Sequence, residues 1–230
     1  FLKKNRYIPL GYTYSDLDEI DEQGRMFRRA LLSHLPYQEH PKRTVLNCLR
    51  RDMFVLPGAS LICKRAFEAV GGFDERLIGY EDDDLFLRMF CTGFDSEFIN
   101  RPLTRWRIYQ GSTSYTSKMA RSRRIYFEKL LVAFPDNPDM GRFYVRDLLV
   151  LRFLPPVVHD LFAALRFGRN DLKEISIQML KLMAPRARWR HRLRIYALLA
   201  FVATPGVSRV LNIPGINFFV NRRLRRLESW

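Results

Sequence analysis

The sequence predicts two parts in series: an α/β unit, with a mixed sheet and helices, over residues 1–116, then an all-α, strongly basic region over 117–230. Three observations predict it. In the first part a strand-like run at 10–14 is followed, at Leu85, Phe86, Met89 and Phe90, by apolar spacing that lays one stripe along a helix. The second part reads as helical segments separated by proline and glycine. Charge changes at the same place: residues 1–115 hold 17 Lys+Arg and 16 Asp+Glu, so nearly all of the net +15 belongs to the remainder.

The elements follow in order. After the strand at 10–14 come Asp16, Asp18, Glu19, Asp21, Glu22 and Gly24, which read as a polar hairpin turn. The pair Asp16 and Asp18 has the D-x-D spacing of a metal site, but those neighbours make the turn the simpler reading. Gly71 and Gly72 permit a sharp reversal that other residues avoid. Four consecutive acids, Glu81, Asp82, Asp83 and Asp84, then open the amphipathic helix, and Gly93 closes it. Helix-terminal amides and the dipole favour negative charge there. Solubility does not require four carboxylates side by side, whereas a reaction centre would. Beyond residue 116, helical segments are predicted at 121–134, 143–154, 157–167, 172–183 and 189–203, with Pro155 and Pro156 separating the second from the third. The most apolar run, 195–203, is far shorter than the ~20 residues that span a bilayer, so no transmembrane helix is predicted.

Composition narrows the classes. A hydrophobic content of 47% is enough for a folded core. Cys48, Cys63 and Cys91 are odd in number, widely spaced and set among apolar residues, which predicts buried free thiols in a reducing compartment. His34, His40, His159 and His191 show no ligand spacing, and no signal peptide or internal repeat is seen. A basic, aromatic-bearing half is also the footprint of nucleic-acid binding. No nucleic-acid motif accompanies it, and the acidic block would repel phosphate, so no nucleic-acid partner is expected.

Taken together, Gly71-Gly72-Phe73-Asp74-Glu75 and the Glu81-Asp82, Asp84-Leu85 and Arg88 block resemble the acceptor-side signature of family 2 glycosyltransferases, inverting enzymes with the GT-A fold. The segment from Leu56 to Arg65 is similar to the strand and short helix before that signature, and Tyr14 to Gly24 resembles a strand and hairpin shortly after the family's metal-binding D-x-D. The likeness covers roughly residues 5–115 and implies a partial GT-A fold, its acceptor-side half, carrying the basic helical extension. It implies transfer of a sugar from a nucleotide-sugar donor to a glycan or lipid-linked acceptor. Asp82 would be the base that deprotonates the acceptor hydroxyl. Glu81 and Asp84 would position the acceptor or hold the loop, Gly72 would shape the substrate turn, and Arg88 would pair with an acid of the block.

The family's nucleotide-binding half, with the D-x-D that binds a divalent cation (Mn or Mg) and the diphosphate, has no counterpart here. The chain is therefore expected to be N-terminally incomplete and inactive alone, with the main cation ligands missing. At Trp106-Arg107-Ile108-Tyr109 the resemblance continues into a strand on which Tyr109 replaces the family's histidine. A phenol is a poor ligand for a hard cation, but Tyr109 can hydrogen-bond a phosphate and Arg107 can supply charge. Trp106 is either a half-buried strand aromatic or a substrate platform. Arginines mixed with leucine and aromatics at 189–196 and 218–227 fit an interfacial helix on an anionic membrane surface. That implies a cytoplasmic protein peripheral on the inner face of the membrane. Helices packed on the catalytic domain, with arginines in solvent, are the alternative, as is a non-catalytic membrane- or partner-binding fragment.

Overall fold

The computed structural model describes residues 8–35, 39–109 and 117–204. The predicted basic run at 218–227 and the Gly111 to Ser114 end of the tyrosine-bearing motif lie outside them. The described residues form four strands and eight α-helices, a mixed α/β arrangement with a helical C-terminal region, consistent with a partial GT-A architecture. The chain divides into two compact units, Phe1–Ser122 and Arg123–Trp230.

In the first unit, β1 (Leu10–Ile20) is the spine of the sheet. β4 (Asp95–Arg107) runs parallel to it along its whole length. The opposite edge pairs antiparallel with β3 (Ser60–Ile62) near the start of β1 and with β2 (Met26–Arg28) near its end. Tyr12, Tyr14 and Leu17 of β1 are buried, the Tyr12 ring packing at a tilt against Phe86 with centroids 4.5 Å apart. Phe86 belongs to α4 (Glu81–Cys91), whose Leu85, Phe86, Leu87 and Met89 fill the core beside the sheet. Gly93 then takes φ 90 and donates to the Phe90 carbonyl, the predicted stop. The short helices α1 (Leu31–His34), α2 (Val45–Arg50) and α3 (Lys64–Ala69) connect these strands.

The first correction concerns Asp16 and Asp18. They do not lie in a turn: β1 continues to Ile20, and the hairpin is formed by Asp21 to Arg25, closed by the Asp21 N–H to Arg25 carbonyl bond of 2.9 Å. Asp16 survives in a buried strand because its carboxylate accepts the N–H groups of Leu17, Leu32 and Ser33 and the Ser33 hydroxyl. Burial alone would raise its proton affinity, but those hydrogen bonds outweigh burial and hold its pKa below the usual carboxylate value. Nor are all the thiols buried. Cys48 is, Cys63 is half-buried and Cys91 is exposed on α4, where the apolar stripe does not reach.

The second unit is helical. The part of α5 (Ser117–Ala133) that lies in it places Tyr126 and Phe127 edge-on to Phe153 of α6 (Val150–Phe167). α7 (Asn170–Met183) adds Met179, Leu180 and Met183, and α8 (Trp189–Ala203) adds Ile195 and Val202. Arg123 pairs with Asp160 inside this unit.

The second correction is at Pro155 and Pro156, which lie inside α6 rather than ending it. Lacking N–H groups, they leave the carbonyls one turn earlier without helical donors. The buried stripe Val150, Phe153, Val157, Leu161 and Leu165 continues on both sides of them, and that packing keeps the helix whole. With the π-turn before it, the segment Val145–Phe167 is 23 residues long and contains a stretch long and apolar enough to cross a membrane by length and composition. The periodicity read as two short helices concealed this.

Candidate active site

The acids at the start of α4 divide into two that are fully buried and two that are partly buried. Asp84 is 3% exposed and accepts the Arg88 guanidinium at 2.8 Å, one helical turn along. The same guanidinium reaches back to the carbonyls of Val70 and, at 2.7 Å, of Gly72. The acid and arginine of α4 thus grip the double-glycine turn. Gly72 takes φ 69, and a Cβ there would stand 3.1 Å from the Phe67 ring, so the turn requires glycine.

Asp83 is 1% exposed, and its carboxylate accepts the backbone N–H of Met53. That bond draws in the segment from Asp52 to Val55. Lys42 holds the same segment from the other side: its buried ammonium donates to the carbonyls of Asn47, Arg51 and Asp52. Within it Phe54 adopts a left-handed φ of 52 and donates its N–H to the Asp52 carboxylate at 2.8 Å. The Phe54 ring meets Trp106 edge-on at 6.2 Å. Asp52 is therefore fixed in place by contacts far from it in sequence.

Asp82 and Glu81 remain. Asp82 is half-buried and accepts the N–H of Asp83 at 2.7 Å. Its pKa is raised well above the ordinary carboxylate value, chiefly by burial and then by the charges of Asp52, Asp83 and Glu81, with the Asp83 N–H opposing. Glu81 keeps one buried carboxylate oxygen, Oε2, with no hydrogen-bond partner among the described residues. Helix α4 begins at Tyr80, which has φ 64 and makes no side-chain capping bond. The arrangement offers one carboxylate with raised proton affinity beside a second whose hydrogen-bonding capacity is unspent. A carboxylate of raised proton affinity is chemically suited to accept a proton from a hydroxyl.

The other predicted residues lie elsewhere along the sheet. Trp106, near the end of β4, is half-buried against Phe54. Arg107 spends its guanidinium on the carbonyls of Asp21, at 3.0 Å, and Glu22, at 2.6 Å, tying β4 to the hairpin. Tyr109 lies beyond the end of β4 and is 46% exposed. Among the described residues no group of three or more His, Cys, Asp or Glu side chains is placed to hold a metal ion. Asp16 is consumed by α1, and Asp18 accepts the N–H of Ala30 at 3.0 Å. The D-x-D spacing thus serves the backbone, and both carboxylates are spent on N–H groups rather than left open to a cation.

Sequence reasoning missed Asp52 and Lys42. Neither belongs to a motif, and the only signal was an acid set among arginines at 50–52. Their placement depends on the fold: Lys42 gathers the carbonyls of the segment that carries Asp52, and the Met53 N–H ties that segment to α4.

Compared with known families, residues 13–146, more than half of the chain, match the one described as Glycosyltransferase like family 2. No curated protein and no solved structure matches the chain.

Proposed function

The chain belongs to the family 2-like glycosyltransferases, and on that premise we propose that it takes part in inverting transfer of a sugar from a nucleotide-sugar donor to a glycan or lipid-linked acceptor, with Asp82 as general base. The observation that carries the proposal is the state of Asp82: partly accessible, pinned at a helix start, and raised in proton affinity by burial and by Asp52. A carboxylate with a pKa nearer the working pH is the stronger base for a hydroxyl proton. In the step proposed, the acceptor oxygen forms its bond to the anomeric carbon as its proton passes to Asp82. The nucleoside diphosphate departs from the opposite face with the bonding electrons. Glu81 would hold the acceptor through its unspent carboxylate oxygen, and Asp83 and Asp84 would keep the two acids in register.

The test is acceptor-dependent release of nucleoside diphosphate by the protein at its natural length, over a panel of nucleotide sugars. The anomeric configuration of the product is read by proton coupling. An inverted anomer is expected; a retained one would contradict the direct displacement.

A further inference from the structure

The second unit carries features that sugar transfer at α4 leaves unused. α6 buries Val150, Phe153, Val157 and Leu161, and a second apolar strip lies beside that stripe. Leu151, Leu154 and Val158 line a groove of about 270 Å³, completed by Ile195 and Leu198 of α8. Leu151 is 40% exposed. An apolar strip that the core leaves partly uncovered is a place for an apolar partner or a hydrocarbon phase, and this strip of α6 is only partly buried in the unit.

His191 and Arg194 stand at the edge of this groove. His191 also lines a second cavity, of about 670 Å³, whose wall includes Trp189, Arg190 and Arg192. Two further arginines of that wall, Arg146 and Arg188, share the single carboxylate of Asp147, at 2.7 and 2.8 Å. Arg192 is oriented by the Pro185 carbonyl at 2.8 Å, which fixes its direction without cancelling its charge. Arg190 lies 5.2 Å over the Trp189 ring. No ion pair with an acidic side chain joins Arg190, Arg192 or Arg194 among the described residues. His191 reports the resulting field: its pKa is lowered by burial first and then by Arg194 and Arg188.

We infer that this juxtaposition is a docking site for an anionic phospholipid of a membrane surface, one acyl chain lying in the α6–α8 groove and the headgroup phosphate meeting Arg190, Arg192 and Arg194. Charge and shape together select this occupant. The chain's own residues 205–230 are apolar enough for the groove, but they carry five arginines against one glutamate, and the basic rim repels them. A nucleic acid or a free phosphate would satisfy the arginines and leave the groove facing water. A phosphate-bearing lipid satisfies both, with hydrocarbon against Leu151, Leu154 and Leu198. The inference concerns the second unit alone and stands apart from the reaction proposed for Asp82.

The test is flotation of the whole chain with vesicles of phosphatidylcholine alone and of phosphatidylcholine mixed with phosphatidylglycerol. Binding is expected to the mixed vesicles only. Arg190→Gln with Arg194→Gln, both exposed positions, should lower the partition coefficient about thirty-fold, the effect of removing two arginines from an anionic surface. Leu151→Gln with Leu198→Gln should also weaken flotation, while leaving intact the shift that inorganic phosphate produces in the His191 ring resonances. Circular dichroism verifies that both pairs fold. Equal flotation on neutral vesicles would overturn the inference, as would flotation on mixed vesicles that neither pair alters. Loss through the arginine pair with no effect of the leucine pair would also overturn it, reducing the site to a phosphate patch.

Discussion

Replacing Arg88 by Met probes the clamp that holds the candidate site. The substitution keeps a long apolar stem on α4 and removes the guanidinium. Asp84, whose side chain is 4% exposed, then loses its counter-ion at 2.8 Å. The carbonyls of Val70 and Gly72 lose their donor at the same time. Breaking a buried pair by removing one partner costs about 3–5 kcal/mol. Arg88 is itself 28% exposed, so water can partly replace it, and the lower end, about 3 kcal/mol, is expected. With a urea slope of about 2 kcal/mol per molar, the unfolding midpoint should fall by about 1.5 M. The assay is urea unfolding of the first unit's transition followed by circular dichroism. Arg88→Met combined with Asp84→Leu also removes the buried carboxylate that has lost its Arg88 partner and should recover part of the loss. Arg88→Lys keeps the charge but cannot span both carbonyls and should fall between. A midpoint shift below about 0.3 M for Arg88→Met, or a double variant no better than the sum of the singles, would refute the clamp.

Two further predictions concern the acids. Asp82 binds its proton more tightly in the folded chain than in the unfolded one, so stability falls as pH rises from the ordinary carboxylate range through its raised value. Asp82→Asn should therefore raise the melting temperature at pH ~7 and change it little at pH ~3, where the carboxyl is protonated in both states; an equal effect at both would show that the charge is not the cause. Asp52→Asn retains an acceptor for the Phe54 N–H and removes one neighbouring charge. A carbon-13 titration of the Asp82 carboxyl should then move toward the ordinary carboxylate value, and an unmoved titration would exclude Asp52 as a tuning group.

What could be read from sequence was local. The stripe Leu85, Phe86 and Met89, the stop at Gly93 and the span of α8 follow from spacing and capping within a few residues, and the structure reproduces them. So does the pairing of Arg88 with an acid of the block, because the two lie one turn apart. What failed depended on distant partners. Asp16 and Asp18 look like turn residues until α1 and the Ala30 N–H arrive to satisfy them inside a strand. Pro155 and Pro156 look like a break until the core stripe on either side outweighs the missing donors. The division of four adjacent acids into an inward pair and an available pair was likewise invisible. It is made by Met53, which is remote in sequence, and by the glycine turn that Arg88 holds. Asp52 reaches the site through that same long-range bond.

The central claim is that Asp82 removes the acceptor's proton. It is tested most directly by comparing sugar transfer by the wild-type protein and by Asp82→Asn, both at natural length, with donor binding measured in parallel. A general base contributes roughly 10²–10⁴-fold, so transfer should fall by that order while donor affinity stays unchanged. Transfer within a few-fold of wild type, with donor binding intact, would contradict it.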